Sequence, residues 1–168
     1  MTEQESVIIN RTNNEELCNQ LRGLVGDTKV TSLTIRYNTF KSPPVCDALV
    51  ELLRTNTTLT QLDISGCFMG SKSSKKIIDA LMANNTLTDL VLNYIYFNGR
   101  GGIGLGLERL ISKSNLYSLS LERCHLSNDE FMALLDHLRT NTSLACLHMG
   151  LVNVPEGFSQ GMVDVLEV

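Results

Sequence analysis

No stretch of this chain approaches the roughly 18 to 20 consecutive apolar residues that cross a bilayer as a helix, so a membrane role is not expected. The opening Met1-Thr2-Glu3-Gln4-Glu5 is acidic and polar, unlike a secretory leader. Basic residues are in short supply: 14 Lys and Arg stand against 18 Asp and Glu, a formal net charge of −4. That balance lacks the electropositive footprint of a nucleic-acid-binding surface. The one local cluster, Lys72, Lys75 and Lys76, reads as the solvated start of a helix. No C-x-x-C pair occurs, and the five cysteines (Cys18, Cys46, Cys67, Cys124 and Cys146) are odd in number and widely spaced. They read as free, mostly buried thiols in a reducing compartment, which points to the cytoplasm. His125, His137 and His148 share no metal-ligand spacing with cysteines or carboxylates, and no Ser/His/Asp constellation is arguable. Neither a metal, a cofactor nor catalysis is expected.

Leucine, by contrast, recurs with a fixed rhythm. An apolar residue, two others, Leu, one other and an aliphatic residue appear as Val30-x-x-Leu33-x-Ile35, Leu59-x-x-Leu62-x-Ile64 and Leu87-x-x-Leu90-x-Leu92. Two more copies follow, Leu116-x-x-Leu119-x-Leu121 and Leu144-x-x-Leu147-x-Met149. Successive copies start 29, 28, 29 and 28 residues apart. Such a period means that each unit buries its apolar face against its neighbours, which is the signature of a solenoid. A length of 168 residues with 43% hydrophobic residues suits one domain with a continuous core.

Within a unit the leucine phrase reads as a short strand, its leucines inward and the intervening residues outward. A further apolar residue at register position eleven (Phe40, Met69, Phe97, Leu126, Val154) closes the turn off the strand. The second half is helical: Leu24, Leu53, Leu81, Leu110 and Leu138 stand six residues before each leading position, and Leu21, Val50, Ile78, Leu107 and Leu135 nine before. Residues three apart share a helix face, so this stripe packs on the strands. Pro43 and Pro44 open one helix, and Ser127-Asn128-Asp129-Glu130 offers caps for another. N-x-[S/T] sequons occur at Asn10, Asn56, Asn84 and Asn141, the last three at one register just before the leading leucine. They read as a structural turn, asparagine tolerating the left-handed conformation that ends a helix, while Asn115 marks a junction built differently.

The expected architecture is α/β: a right-handed solenoid with parallel strands on the concave face and helices on the convex face. Residues 1–29 form an N-terminal capping unit, with Val7–Ile9 as its strand and Glu15–Val25 as its helix. Residues 30–154 carry the five strand-bearing repeats, and residues 155–168, with Phe158, Met162, Val163 and Leu166, read as a C-terminal helix. A monomer, or a weak dimer through that last helix, is expected.

The phrase L-x-x-L-x-L, an Asn or Cys residue at position nine and an N-x-x-L junction resemble the leucine-rich repeat family. Alternating 28- and 29-residue units with a helix each look like its ribonuclease-inhibitor subtype. The resemblance implies a horseshoe-like arc that acts by binding proteins, and it carries no catalytic residues. It also implies that the position-nine side chain bonds backbone at the strand end. Here that position holds Asn38, Cys67, Ile95, Cys124 and Val152, so Ile95 and Val152 depart from the pattern.

Register positions three, five, seven and eight should face out of the concave side. Among them Arg36, Tyr37, Asp63, Asp89, Asn93, Tyr94, Glu122, Arg123 and His148 are the partner-binding candidates, since Tyr and Arg are enriched at interface centres. The leading functional expectation is a non-catalytic scaffold, adaptor or inhibitor that docks a protein partner. Resemblance to activators of the Ran GTPase would give Asn93 or Arg123 a role in GTP hydrolysis. Leu53-Arg54-Thr55-Asn56-Thr57-Thr58-Leu59 looks like the repeat domain of tropomodulin, implying an actin cap. A bacterial effector acting in a host cytosol is a further reading. Gly99-Arg100-Gly101-Gly102-Ile103-Gly104 matches G-x-G-x-x-G, but it falls where every unit turns from strand to helix, and it reads as a rim loop.

Overall fold

The computed structural model describes residues 5–98, 107–112, 115–124, 126 and 128–150. Along the chain run β1 (Glu5–Asn10), α1 (Asn14–Gly23), β2 (Val30–Arg36), α2 (Pro43–Thr55), β3 (Gln61–Asp63), β4 (Phe68–Gly70) and α3 (Ser71–Ala83). There follow β5 (Asp89–Val91), β6 (Tyr96–Asn98), α4 (Leu107–Ile111), β7 (Ser118–Ser120), α5 (Asn128–Leu138) and β8 (Cys146–His148). Six strands form one parallel sheet in the order β1-β2-β3-β5-β7-β8, and each helix packs on the next. Strands pack about 4.8 Å apart and helices 8–10 Å apart, so the stack bends with its strands inside and its helices outside.

Register explains why the leucines repeat. Leu33, Leu62, Leu90, Leu119 and Leu147 pair across consecutive strands as one column. The first four are at most 2% exposed, each burial worth about 1.5–3 kcal/mol. The helical stripe lies opposite them: Leu21, Leu53, Leu81 and Leu110 are buried, with Leu49 and Leu52 beside them. Leu24 and Val50 are only partly buried. α1 ends at Gly23, two residues short of the expected limit, and Leu24 caps it. At its start Asn13 accepts the Glu16 N–H at 2.9 Å, with Glu15 and Glu16 against the positive end of the helix dipole. Pro43 and Pro44 occupy the first turn of α2 as expected.

A second, two-stranded parallel ribbon pairs β4 with β6 behind the main sheet, and an isolated Thr39–Phe68 bridge precedes it. Three-residue strands leave no periodic trace, so the sequence signals only the buried anchors Phe40 and Met69. The final helix proposed for 155–168, the Gly99–Gly104 motif, His125, Ser127, Val152 and Val154 lie outside the described residues. Among the described residues no helix is long and apolar enough to cross a membrane.

The junction asparagines act differently from expectation. Asn56 and Asn84 are extended, at φ −74° with ψ 133° and 130°, so the left-handed conformation is not their role. Their side chains carry the function instead. Asn84 Oδ1 accepts the N–H groups of Thr86 (3.0 Å) and Leu87 (2.8 Å), while its Nδ2 donates to the Leu53 carbonyl of the preceding unit at 2.8 Å. Asn56 does the same, with Nδ2 reaching the Asp27 carbonyl. Asn141 bonds the Ile111 carbonyl, and Asn115 reaches Leu87 O at 2.8 Å from a shifted register position. Asp27 makes the two acceptances, from Lys29 and Val30, without the donor arm, and these bonds hold its carboxyl below the usual range.

Position nine forms a second ladder. Asn38 Nδ2 donates to Ile9 O at 3.1 Å, and the thiols of Cys67 and Cys124 reach Ile35 O and Leu92 O, each at 3.0 Å. Ile95 fills the same place as a buried hydrocarbon, and the backbone before it keeps the same left-handed form, so the bond is not what shapes the loop.

Two measurements check these ladders. Asn84→Ala should lower unfolding free energy by about 3 kcal/mol, since it strands several buried backbone groups, while exposed Asn85→Ala stays within about 0.5 kcal/mol. Burial pushes the Cys67 thiol up from 9.0 to about 12. Its folded pKa is therefore raised, and its contribution is complete below pH 9 and lost as pH climbs from 9 towards 12. Urea titrations from pH 8 to 11 should show wild type losing more stability than Cys67→Ala; parallel curves would refute this.

Candidate functional site

At the end of each strand one residue turns the chain, and that column has a common conformation. Tyr37, Gly66, Tyr94 and Arg123, all at register position eight, have φ of 56°, 65°, 56° and 55°, and Arg11 in the capping unit has 47°. Left-handed backbone costs a non-glycine residue roughly 1–2 kcal/mol, most acutely a bulky one. The neighbouring unit enforces it. Each position-eight N–H donates to a position-seven carbonyl one unit on: Tyr37 to Ser65, Gly66 to Asn93, Tyr94 to Glu122 and Arg123 to Gly150, at 2.8–3.1 Å.

This turn lifts the side chains onto a rim. Tyr37 is 53% exposed and Tyr94 37%. Each ring carries a guanidinium: Arg11 lies 5.1 Å from the Tyr37 centroid and Arg123 5.3 Å from that of Tyr94. Such cation–π pairs contribute about 0.5–1 kcal/mol at an exposed site. Tyr37 in turn lies across Gly66, where a Cβ would stand 2.5 Å from its Cδ1. The repeat register marks the tyrosines and Arg123 but not Arg11, whose unit lacks the leucine phrase.

The concave floor is more closed than the alternation implied. Asp63, Ser65 and Ser120 are 7–8% exposed, so positions five and seven do not all face solvent. Arg36 holds Asp63: Nε donates to Oδ2 at 2.7 Å, Nη2 bonds the same oxygen, and Oδ1 accepts the Ser65 N–H at 2.8 Å. This hydrogen bond and the adjoining charge raise the Arg36 pKa further above its ordinary value. Asp89 is half-buried and accepts Thr88 Oγ1 at 2.6 Å. Asn93 is structural through its oxygen, which accepts Ser120 Oγ at 2.7 Å and Glu122 N at 2.8 Å. Glu122 lies half-buried against Gly150, and His148 is exposed on β8. Of the acidic candidates Asp63, Asp89 and Glu122, Asp63 is therefore withdrawn from solvent and paired. Among the described residues no three His, Cys, Asp or Glu side chains are placed to hold a metal.

The same architecture is found in solved structures. That of leiomodin-1 actin-binding site 2 matches with a TM-score of 0.66, covering 93% of this chain and 88% of that one at 19% identity. The Caenorhabditis elegans tropomodulin C-terminal domain matches at 0.54, covering 99% and 84% at 13% identity. The fold is a leucine-rich repeat arc. In sequence, the protein CARMIL of Dictyostelium discoideum is 34% identical over 97 residues, 55% of this chain. The chain matches 9% of the length of that relative. No family model matches the chain.

Gly66→Ala tests the rim. The substitution should cost about 1–2 kcal/mol of backbone strain and displace the Tyr37 ring. Urea unfolding with tyrosine ring NMR would show both, and with Tyr37→Ala in place only the backbone part should persist. Unchanged stability with unshifted Tyr37 resonances would contradict the packing described.

Proposed function

We propose that the chain is a non-catalytic module that docks a protein partner across its concave face and the rim at its strand ends. The observation that carries this reading is the pair of exposed, arginine-stacked tyrosines, Tyr37 and Tyr94, on one edge of a rigid sheet. Tyr and Arg dominate the energetic centres of interfaces, and a pre-ordered ring loses little entropy on binding. Strained backbone at these positions supports it, since such strain gathers where a surface is used. Arg36, Asp89, Glu122 and His148 would flank the contact, and Asp63 would act through Arg36. The alternating 28- and 29-residue period keeps the ribonuclease-inhibitor subtype as our reading of the repeats. Five free cysteines, four of them buried, suit a reducing, cytoplasmic setting.

Actin is a second reading for the partner. It is favoured by the likeness to a leiomodin-1 segment whose description is an actin-binding site.

Tyr94→Asn with Arg123→Asn separates binding from folding, because asparagine tolerates positive φ. Stability should not fall by more than about 0.5 kcal/mol, while capture of the partner from lysate should drop at least about tenfold. Undiminished capture would remove this surface from the interface. Co-sedimentation with filamentous actin, and binding to monomeric actin, decide the second reading.

A further inference from the structure

The rim has a charge pattern that the concave floor lacks. Arg11 and Arg123 stand at the two ends of its described part, each over a tyrosine ring, and the Tyr37 ring lies across Gly66 between them. Among the described residues neither guanidinium donates a hydrogen bond or joins an ion pair, so both keep their outward donors free. Arg36, by contrast, is committed to Asp63. Beside Gly66, Ser65 Oγ is a buried side-chain oxygen with no hydrogen-bond partner. Buried hydroxyls are ordinarily bonded, and this one adjoins the glycine of the rim column.

We propose that this rim takes an extended, acidic segment of a partner protein, running across the strand ends with carboxylates on the two guanidiniums. The inference rests on the protein-binding reading above and specifies the chemistry of the partner. A guanidinium stacked on a ring presents its N–H edge outward in a fixed plane, which suits a carboxylate. Lysine would not hold that plane. The spacing follows from the sheet. Arg11 and Arg123 stand four strand steps apart, about 19 Å at roughly 4.8 Å per step. Each lies over a tyrosine one strand inward, and those tyrosines are two steps apart, so the guanidiniums are separated by about 10–19 Å, a range that includes the i,i+4 rise of an extended chain. An extended chain rises about 3.3 Å per residue and alternates its faces, so Asp or Glu at i and i+4 would meet both. The segment's backbone would pass over the exposed Tyr37 ring, which lies across Gly66.

The test is fluorescence anisotropy with the whole chain and labelled twelve-residue peptides, rich in Thr and Val to favour extension. One carries Glu at i and i+4, one Glu at i and i+1, and one Lys at i and i+4. The i,i+4 Glu peptide should bind at least about tenfold tighter than either other, and its affinity should fall as salt rises. Arg11→Asn with Arg123→Asn should remove that preference while the chain keeps a cooperative thermal transition; Arg11→Lys with Arg123→Lys should weaken it less. Equal binding of all three peptides, or an unaffected Asn double variant, overturns the proposal. Tighter binding of a single-stranded oligonucleotide than of any peptide overturns it too. Loss of lysate capture in the Tyr94→Asn, Arg123→Asn variant with no peptide preference would sink this inference alone and leave the protein-binding reading standing.

Discussion

The fold depends on a side-chain amide placed where α2, α3 and α5 give way to the next strand. A backbone that reverses there leaves N–H and carbonyl groups that no regular ladder can reach. Asn56, Asn84 and Asn141 accept two N–H groups of their own turn and donate to a carbonyl of the unit before. One residue thus shapes the turn and joins two units. No other side chain of that size has an acceptor and a donor on one planar group. Asp27, which makes only the acceptances, shows the two functions are separable.

The leucine column then follows from register. Each strand is held one unit from the next, so identical positions meet and the core is continuous from Ile9 to Leu121. The same regularity concentrates strain at the strand ends. Position eight must turn left-handed whatever occupies it, and the bond it makes to the next unit stabilises that form. Tyrosine is a poor choice for such a backbone and a good one for a contact surface, and its presence at two of these positions supports the docking proposed above.

Much of the architecture was legible because it is repetitive. A 28- or 29-residue period, read at Leu33, Leu62, Leu90, Leu119 and Leu147, placed every core strand after the first unit. What was not legible is local. Alternation made Asp63 an outward residue, yet neighbouring columns and Arg36 enclose it. The β4–β6 ribbon is too short for a period, and left-handed backbone at Tyr37, Tyr94 and Arg123 contradicts every propensity those residues have. The cation–π partners were hidden for a different reason: Arg11 and Tyr37 are adjacent only through register.

A row of units in which each is bonded mainly to its two neighbours has a mechanical consequence. Tension drawn along the row pulls in line with the bonds between strands and loads one interface before the next. The arc then lengthens by shedding single units, each step small and readily reversed, and gives way at low force. A partner spread across several strand ends would bridge those interfaces and stiffen the row, so occupancy of the rim could be read as resistance to stretching.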